Sequence, residues 1–103
     1  MFQKKEFILT KKISDTPILL EKPIRLNLGC GDDLKKEFIN IDVVKDNENI
    51  VSMNIDDIKN KFQNATIDEI YAKDVIEHVG LPTAKRWIRN WSNLLKKDGT
   101  LTI

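Results

Sequence analysis

Apolar and polar residues alternate in short runs along most of this chain, and the period changes once. The stretch IRLNL (24–28) alternates at a period of two, the pattern of a strand with one buried face. Strand signals return in FINIDVV (38–44) and NIVSM (49–53), IDEIYA (67–72) reads as a fourth strand and TLTI (100–103) as a fifth, which predicts five strands. Before the last of these the period lengthens. Ala84, Trp87, Ile88, Trp91, Leu94 and Leu95 fall on one helical face, so a long helix is predicted over 82–96. Pro82 suits its first turn, Lys96 and Lys97 suit its negative C-terminal end, and Gly99 suits the stop. At this spacing Trp87 and Trp91 read as core rather than as a stacking platform for bases or sugars. Residues 1–22 hold two apolar runs, Phe7-Ile8-Leu9 and Ile18-Leu19-Leu20, joined by a polar turn region; a hairpin and an irregular arm both fit.

Strands separated by crossovers, with a helix leading into the last, predict an open, mainly parallel α/β sheet. The early crossovers are short: residues 30–37 separate the first two strands, and the next gap is shorter still. A parallel crossover normally takes about 10 or more residues, so these connections are expected to be turns or loops in place of helices. One face of the sheet is then thinly covered, and the N-terminal arm is the material at hand to cover it.

Composition narrows the class. With 103 residues, 41% of them hydrophobic and 32% charged, the chain suits one modest soluble domain. Its 17 basic and 16 acidic side chains leave a formal charge of +1, which gives no global attraction to nucleic acid or to an anionic membrane. No apolar stretch has the length of a membrane span, and lysines interrupt the N-terminal apolar residues where a signal peptide would be continuous. The single Cys30 excludes an internal disulfide and a cysteine-cluster metal site. A cytoplasmic protein is expected, with no nucleic-acid or membrane partner and no metal.

The chemistry concentrates where the first strand runs into Gly29-Cys30-Gly31-Asp32-Asp33. A glycine turn at a strand end usually brings a nucleotide-like ligand against the backbone. A dinucleotide fingerprint needs a third glycine three residues later, where this chain has Leu34, and an acidic residue about 20 residues on, whereas Asp42 follows Gly31 by 11. The Lys-Ser/Thr pair of a phosphate-binding loop is absent, and Asp32 and Asp33 would repel a pyrophosphate. A ligand with a ribose and a base, no phosphate and a positive charge fits instead, and S-adenosylmethionine (SAM) is such a molecule. Glycines admit its methionine portion, and a carboxylate at the end of the second strand can accept from both ribose hydroxyls.

In order and spacing the segments LNLGCGDD, FINIDVV, VSMNIDD, IDEIYAKDVIEHV and WSNLLKKDGTLTI resemble a class I SAM-dependent methyltransferase, from about Ile24 to Ile103. Within that class, the short gap to INID and the DVIEH segment resemble enzymes often found alongside glycosyltransferases. The resemblance implies a Rossmann-like sheet of order 3-2-1-4-5, truncated before the usual strands 6 and 7, with residues 1–22 as an arm and 23–103 as an incomplete SAM-binding domain. It implies that Gly29, Cys30 and Gly31 face the methionine portion, Asp42 and Val43 the ribose, and Asn54 and Ile55 the adenine, with Asp56 taking the adenine role in an alternative register. Lys73 is placed beside the cofactor's methyl group, and Asp74 and His78 are placed near the acceptor. The family often has an acidic residue where Asn27 stands. The implied function is methyl transfer to a small-molecule or glycan acceptor, with no catalytic residue assigned. A catalytically silent SAM-fold subunit or remnant is the alternative, with an NAD-binding dehydrogenase-like domain behind it.

Plainer roles compete at each position. Asp42 can cap a turn, as can Asp32 and Asp33; Cys30 has no paired base and suits a small buried residue; His78 suits a structural or orienting role, since methyl transfer from a sulfonium needs positioning more than a strong base. The lysine-rich N-terminus suits a solvated surface. Class I enzymes ordinarily continue past the fifth strand, so the chain is expected to be a piece of a larger protein or to have that edge covered. Leu101 and Ile103 alternate with Thr100 and Thr102, so a chain that folds alone is expected either to self-associate through strand 100–103 or to have marginal stability that the cofactor relieves.

Overall fold

The computed structural model describes residues 7–13, 16–43 and 47–103, with side chains from residue 22 onward. Of the two forms open to the N-terminal segment, the described part is a hairpin: β1 (Phe7–Ile13) pairs antiparallel with β2 (Thr16–Glu21), its register shifting between Leu9 and Lys11. Val44, where the second predicted strand ends, and the lysines at positions 4 and 5 lie outside the described residues.

The second sheet comprises β3 (Arg25–Leu28), β4 (Ile39–Asp42), β5 (Val51–Ser52), β6 (Ile67–Tyr71) and β7 (Leu95–Thr102). Its order is β5-β4-β3-β6-β7 and every neighbouring pair is parallel. Counted from β3, this is the order 3-2-1-4-5 of a Rossmann-like α/β sheet. Alternation sorts the side chains. Leu26 stands beside Ile39 and Ile70, and Leu28 beside Ile41. Leu26, Leu28, Ile41 and Ile70 join one buried cluster with Ile58 of the short helix α1 (Ile58–Lys61) and with Trp91 and Leu94 of α2 (Leu81–Leu94), and Ile39 packs against it. The opposite face is polar: Asn27 stands between Asn40 and Tyr71, Arg25 beside Glu69, and Tyr71 beside Thr102. A parallel sheet covered on both faces would read as continuous apolar runs, so the alternation itself reflects a core built on one side. No helix among the described residues is long and apolar enough to cross a membrane.

The β3–β4 crossover contains no helix, as its length predicts, and two buried amides hold it. Asn27 and Asn40 are 2% and 8% exposed. Asn27 Nδ2 donates to Asn40 Oδ1 at 2.8 Å and to the Asp33 carbonyl at 2.7 Å. The Lys35 N–H donates to the same Asn40 oxygen at 2.9 Å, while Asn40 Nδ2 donates to the carbonyls of Lys35 and Phe38. A buried amide left without partners costs about 1–3 kcal/mol, so the pair and the loop stabilise each other. Lys35 also places its ammonium 4.1 Å from the centre of the Tyr71 ring.

The helix ends earlier than its periodicity predicts. Pro82 does occupy the first turn, but α2 stops at Leu94, Leu95 is already extended, and Lys96 and Lys97 belong to β7. The carbonyls of Asn93 and Leu94 accept from the N–H groups of Ala65 and Thr66, both at 3.0 Å, so a neighbouring segment caps the helix where basic side chains were expected to. Gly99 is therefore not the helix stop. It lies where β7 loses register against β6, between the pairs Ile67–Leu95 and Glu69–Thr100. A Cβ there would lie 3.0 Å from both Leu95 Cδ2 and the Lys96 carbonyl oxygen, so close backbone approach favours the glycine.

Asp68 joins three strands. It accepts from the Ile24 N–H ahead of β3 at 2.8 Å and from Lys96 Nζ on β7 at 3.0 Å. Burial alone would raise its carboxyl, but these two hydrogen bonds outweigh it and hold the group below the ordinary carboxylate value. Its stabilisation is therefore complete above the unfolded value of about 3.9 and is lost as pH falls through the lower folded value. Melting temperature followed from about pH 5 to about pH 2 should fall less steeply in Asp68→Asn than in the unaltered chain. Equal slopes would show that the joint contributes nothing.

Candidate functional site

The strand ends shape the site. Gly29 and Gly31 have φ of 60° and 51°, a region that disfavours any residue with a Cβ. At Gly29 space forbids a side chain as well, because a Cβ would lie 2.9 Å from Val75 Cγ2. At Gly31 a Cβ would meet nothing within 4 Å, so only the backbone conformation requires glycine there. The Asp33 N–H donates to the Cys30 carbonyl at 2.8 Å and closes the turn, and the Cys30 N–H donates to the Ile41 carbonyl.

Asp42, the last residue of β4, faces this turn. Its Oδ2 accepts from the Gly31 N–H and its Oδ1 from the Val43 N–H, each at 2.7 Å. A carboxylate offers about four acceptor positions, so about two remain for a ligand. The plainer role of turn fastener and the role of ligand acceptor are compatible in one side chain.

A cleft of about 370 Å³ opens beside these strand ends. Gly29, Asp42 and Val43 line it from β3 and β4, residues 53–56 from the segment after β5, and Trp87 from α2. Val43, Met53, Ile55 and the Trp87 ring supply apolar surface, and Asp42, Asn54 and Asp56 supply acceptors. None of the described residues lining it is cationic. That set suits a flat base carrying a ribose diol and offers nothing to a phosphate chain.

Asn54 and Asp56 divide the work at the end of β5. Asn54 Oδ1 accepts from the Asp56 N–H at 3.0 Å and caps the short 3-10 turn Ile55–Asp57. The amide oxygen expected at the adenine is thus already engaged once. Asp56 Oδ1 accepts from Trp87 Nε1 at 2.8 Å and from Arg86 Nη2 at 3.1 Å. Those bonds, Trp87's first, hold the Asp56 carboxyl below the ordinary carboxylate range.

Cys30 is buried, and burial followed by the negative charge of Asp42 pushes its thiol up, which disfavours the thiolate and suits a small buried residue. Lys73, Asp74 and His78 do not line the cleft; all three are exposed on the segment that follows β6. Asp74 holds a left-handed backbone, φ 59°, in the turn three residues past the end of β6, and His78 ends the 3-10 turn Ile76–His78. The structure therefore brings Gly29, Asp42, Val43, Asn54 and Ile55 to one cleft, keeps Gly31 beside it through Asp42, and leaves the cofactor candidates Cys30 and Lys73 and the acceptor-side candidates Asp74 and His78 out of its lining.

Trp87 packs against the core as its spacing predicts, and it also lines the cleft, which the spacing does not show. Trp91 is core, 1% exposed, but Trp87 is only half-buried, and the two rings lie tilted with centroids 6.1 Å apart. Helical spacing put both on the apolar face. The overlooked signal was the indole N–H, which needs an acceptor when partly buried, although its partner Asp56 stands 31 residues away in sequence.

A family model described as a methyltransferase domain matches residues 26–103. No curated protein and no solved structure matches the chain.

Replacing Asp56 by Ala should release the Trp87 indole N–H to water and shift tryptophan emission to longer wavelength. Because Asp56 and Arg86 are half-exposed, the stability cost should stay below about 1 kcal/mol. An unchanged emission spectrum would contradict the Asp56–Trp87 contact.

Proposed function

The chain belongs to the methyltransferase-domain family, and on that premise we propose that its cleft binds SAM and that the protein transfers the cofactor's methyl group to a small-molecule or glycan acceptor. The observation that carries this reading is Asp42: an acidic residue at the end of the second strand of the sheet, lining the cleft beside a glycine turn, with acceptor positions left over. The set also suits the cofactor's charge. Acceptors and carboxylates line the cleft, and its sulfonium and ammonium groups are cationic.

In this reading Asp42 takes the ribose hydroxyls, and the glycine turn admits the methionine portion against the backbone. The base lies among Val43, Met53, Ile55 and the Trp87 ring. Its exocyclic amino group donates to whichever of Asn54 and Asp56 keeps an accessible oxygen. When bound, SAM supplies an electrophilic methyl group on a sulfonium. The chain's contribution is to hold that group in line with the acceptor and to keep water away, which methyl transfer needs more than a strong base. Asp74 and His78, both exposed on the segment that follows β6, are the acceptor-side candidates.

Calorimetry should show SAM and S-adenosylhomocysteine binding in the micromolar range, about −7 to −8 kcal/mol. Asp42→Ala should weaken both by about 1.5–3 kcal/mol, the scale of hydrogen bonds to a charged group. Absent binding, or equal affinity in the variant, would defeat the cofactor assignment, and NADH binding in its place would favour a dehydrogenase-like domain. Transfer of labelled methyl to components of a cell extract separates an enzyme from a catalytically silent SAM-binding subunit.

A further inference from the structure

Asp42 is tied to both halves of the site it lines. Its Oδ2 holds the Gly31 N–H at 2.7 Å across a separation of eleven residues, and its Oδ1 holds the N–H of its own neighbour Val43 at the same distance. Gly31 keeps a left-handed backbone, and a Cβ there would meet nothing within 4 Å. On that side the turn is fastened by the bond from the Gly31 N–H to the carboxylate. The other side is secured separately, through the Asp33 N–H to the Cys30 carbonyl and through Asn27 to the Asp33 carbonyl.

We infer that Asp42 is a positioning residue that couples the ribose end of the cleft to the glycine turn at its methionine end. This rests on the SAM reading above. A ribose diol can use only the acceptor positions that Gly31 and Val43 leave on the carboxylate. The diol and the turn therefore share one charged group, and the orientation that serves one constrains the other. A carboxylate held by two short charge-assisted bonds has little freedom to turn, so its sugar-binding face is preset before a ligand arrives. Losing the carboxylate should then harm the turn as well as the sugar contact. Binding of the amino-acid tail, which touches neither Asp42 oxygen, should weaken along with it.

Adenosine and S-adenosylhomocysteine separate the two effects, since they share base and ribose and only the second has the tail. The ratio of their affinities measures the tail's advantage. If Asp42 served the ribose alone, Asp42→Ala would weaken both ligands equally and leave the ratio unchanged. Coupling predicts that the ratio itself falls by about tenfold, the scale of one hydrogen bond to a charged group. A second measurement needs no variant. In ¹⁵N-labelled protein, adenosine alone should move the Gly31 amide resonance, because the diol draws on the carboxylate that holds it. An unchanged ratio, or a Gly31 amide that responds to S-adenosylhomocysteine but not to adenosine, would overturn the coupling. Failure of S-adenosylhomocysteine to bind the unaltered chain would instead sink the SAM reading and the coupling with it.

Discussion

Two buried amides facing each other across neighbouring parallel strands are the constraint on which the site depends. Asn27 and Asn40 stand in register on β3 and β4, almost fully out of water. Their hydrogen-bonding groups find partners only because the loop from Asp33 to Phe38 folds back over them. Without that loop the pair would be stranded, and without the pair a helix-free crossover would have little to hold its shape. The same pair suits an amide, and not an acid, at position 27. Asn27 donates to both the Asp33 carbonyl and Asn40 Oδ1, whereas an ionised aspartate would present acceptors to acceptors.

From that anchor the rest follows in steps. The crossover returns β4 beside β3 within a few residues, which sets Asp42 against the glycine turn. The apolar face gathers α1 and α2 into one cluster, and α2 thereby carries Trp87 to the segment after β5. Asp56 then receives the indole and the Arg86 guanidinium, and the cleft gains a wall from an element remote in sequence. Core packing and cleft shape are consequences of one arrangement. The polar face takes no part in that cluster. Its ion pair between Arg25 and Glu69, at 3.5 Å and about a third exposed, adds little stability.

Short apolar runs were enough to find all five strands of the sheet, and IRLNL and TLTI alternate at a period of two as one-sided burial requires. The order of the sheet and the absence of a helix between Cys30 and Glu37 were also legible, the second from length alone. Strand ends were not: FINIDVV and NIVSM each contribute fewer paired residues than their patterns suggest, since pairing depends on the neighbour's reach. The end of α2 was misread for a related reason, as Ala65 and Thr66 cap it from another part of the chain. At the site, Gly29, Asp42, Val43, Asn54 and Ile55 could be gathered from motif order. Trp87 could not, because periodicity tells which helical face is apolar and not what that face meets. Asn54's cap and Asp42's bond to Gly31 were equally hidden, being contacts of geometry that residue type alone does not specify.

Amide hydrogen exchange in Asn40→Ala tests the dependence of the site on the buried pair most directly. Lys35 reports on the loop, Gly31 on the turn held by Asp42, and Ile70 on the centre of the sheet. The expected result is that Lys35 and Gly31 both exchange faster than in the unaltered chain while Ile70 keeps its protection. Gly31 protection unchanged beside a faster Lys35 would contradict the dependence, and equal acceleration of all three would show that Asn40 supports only global stability.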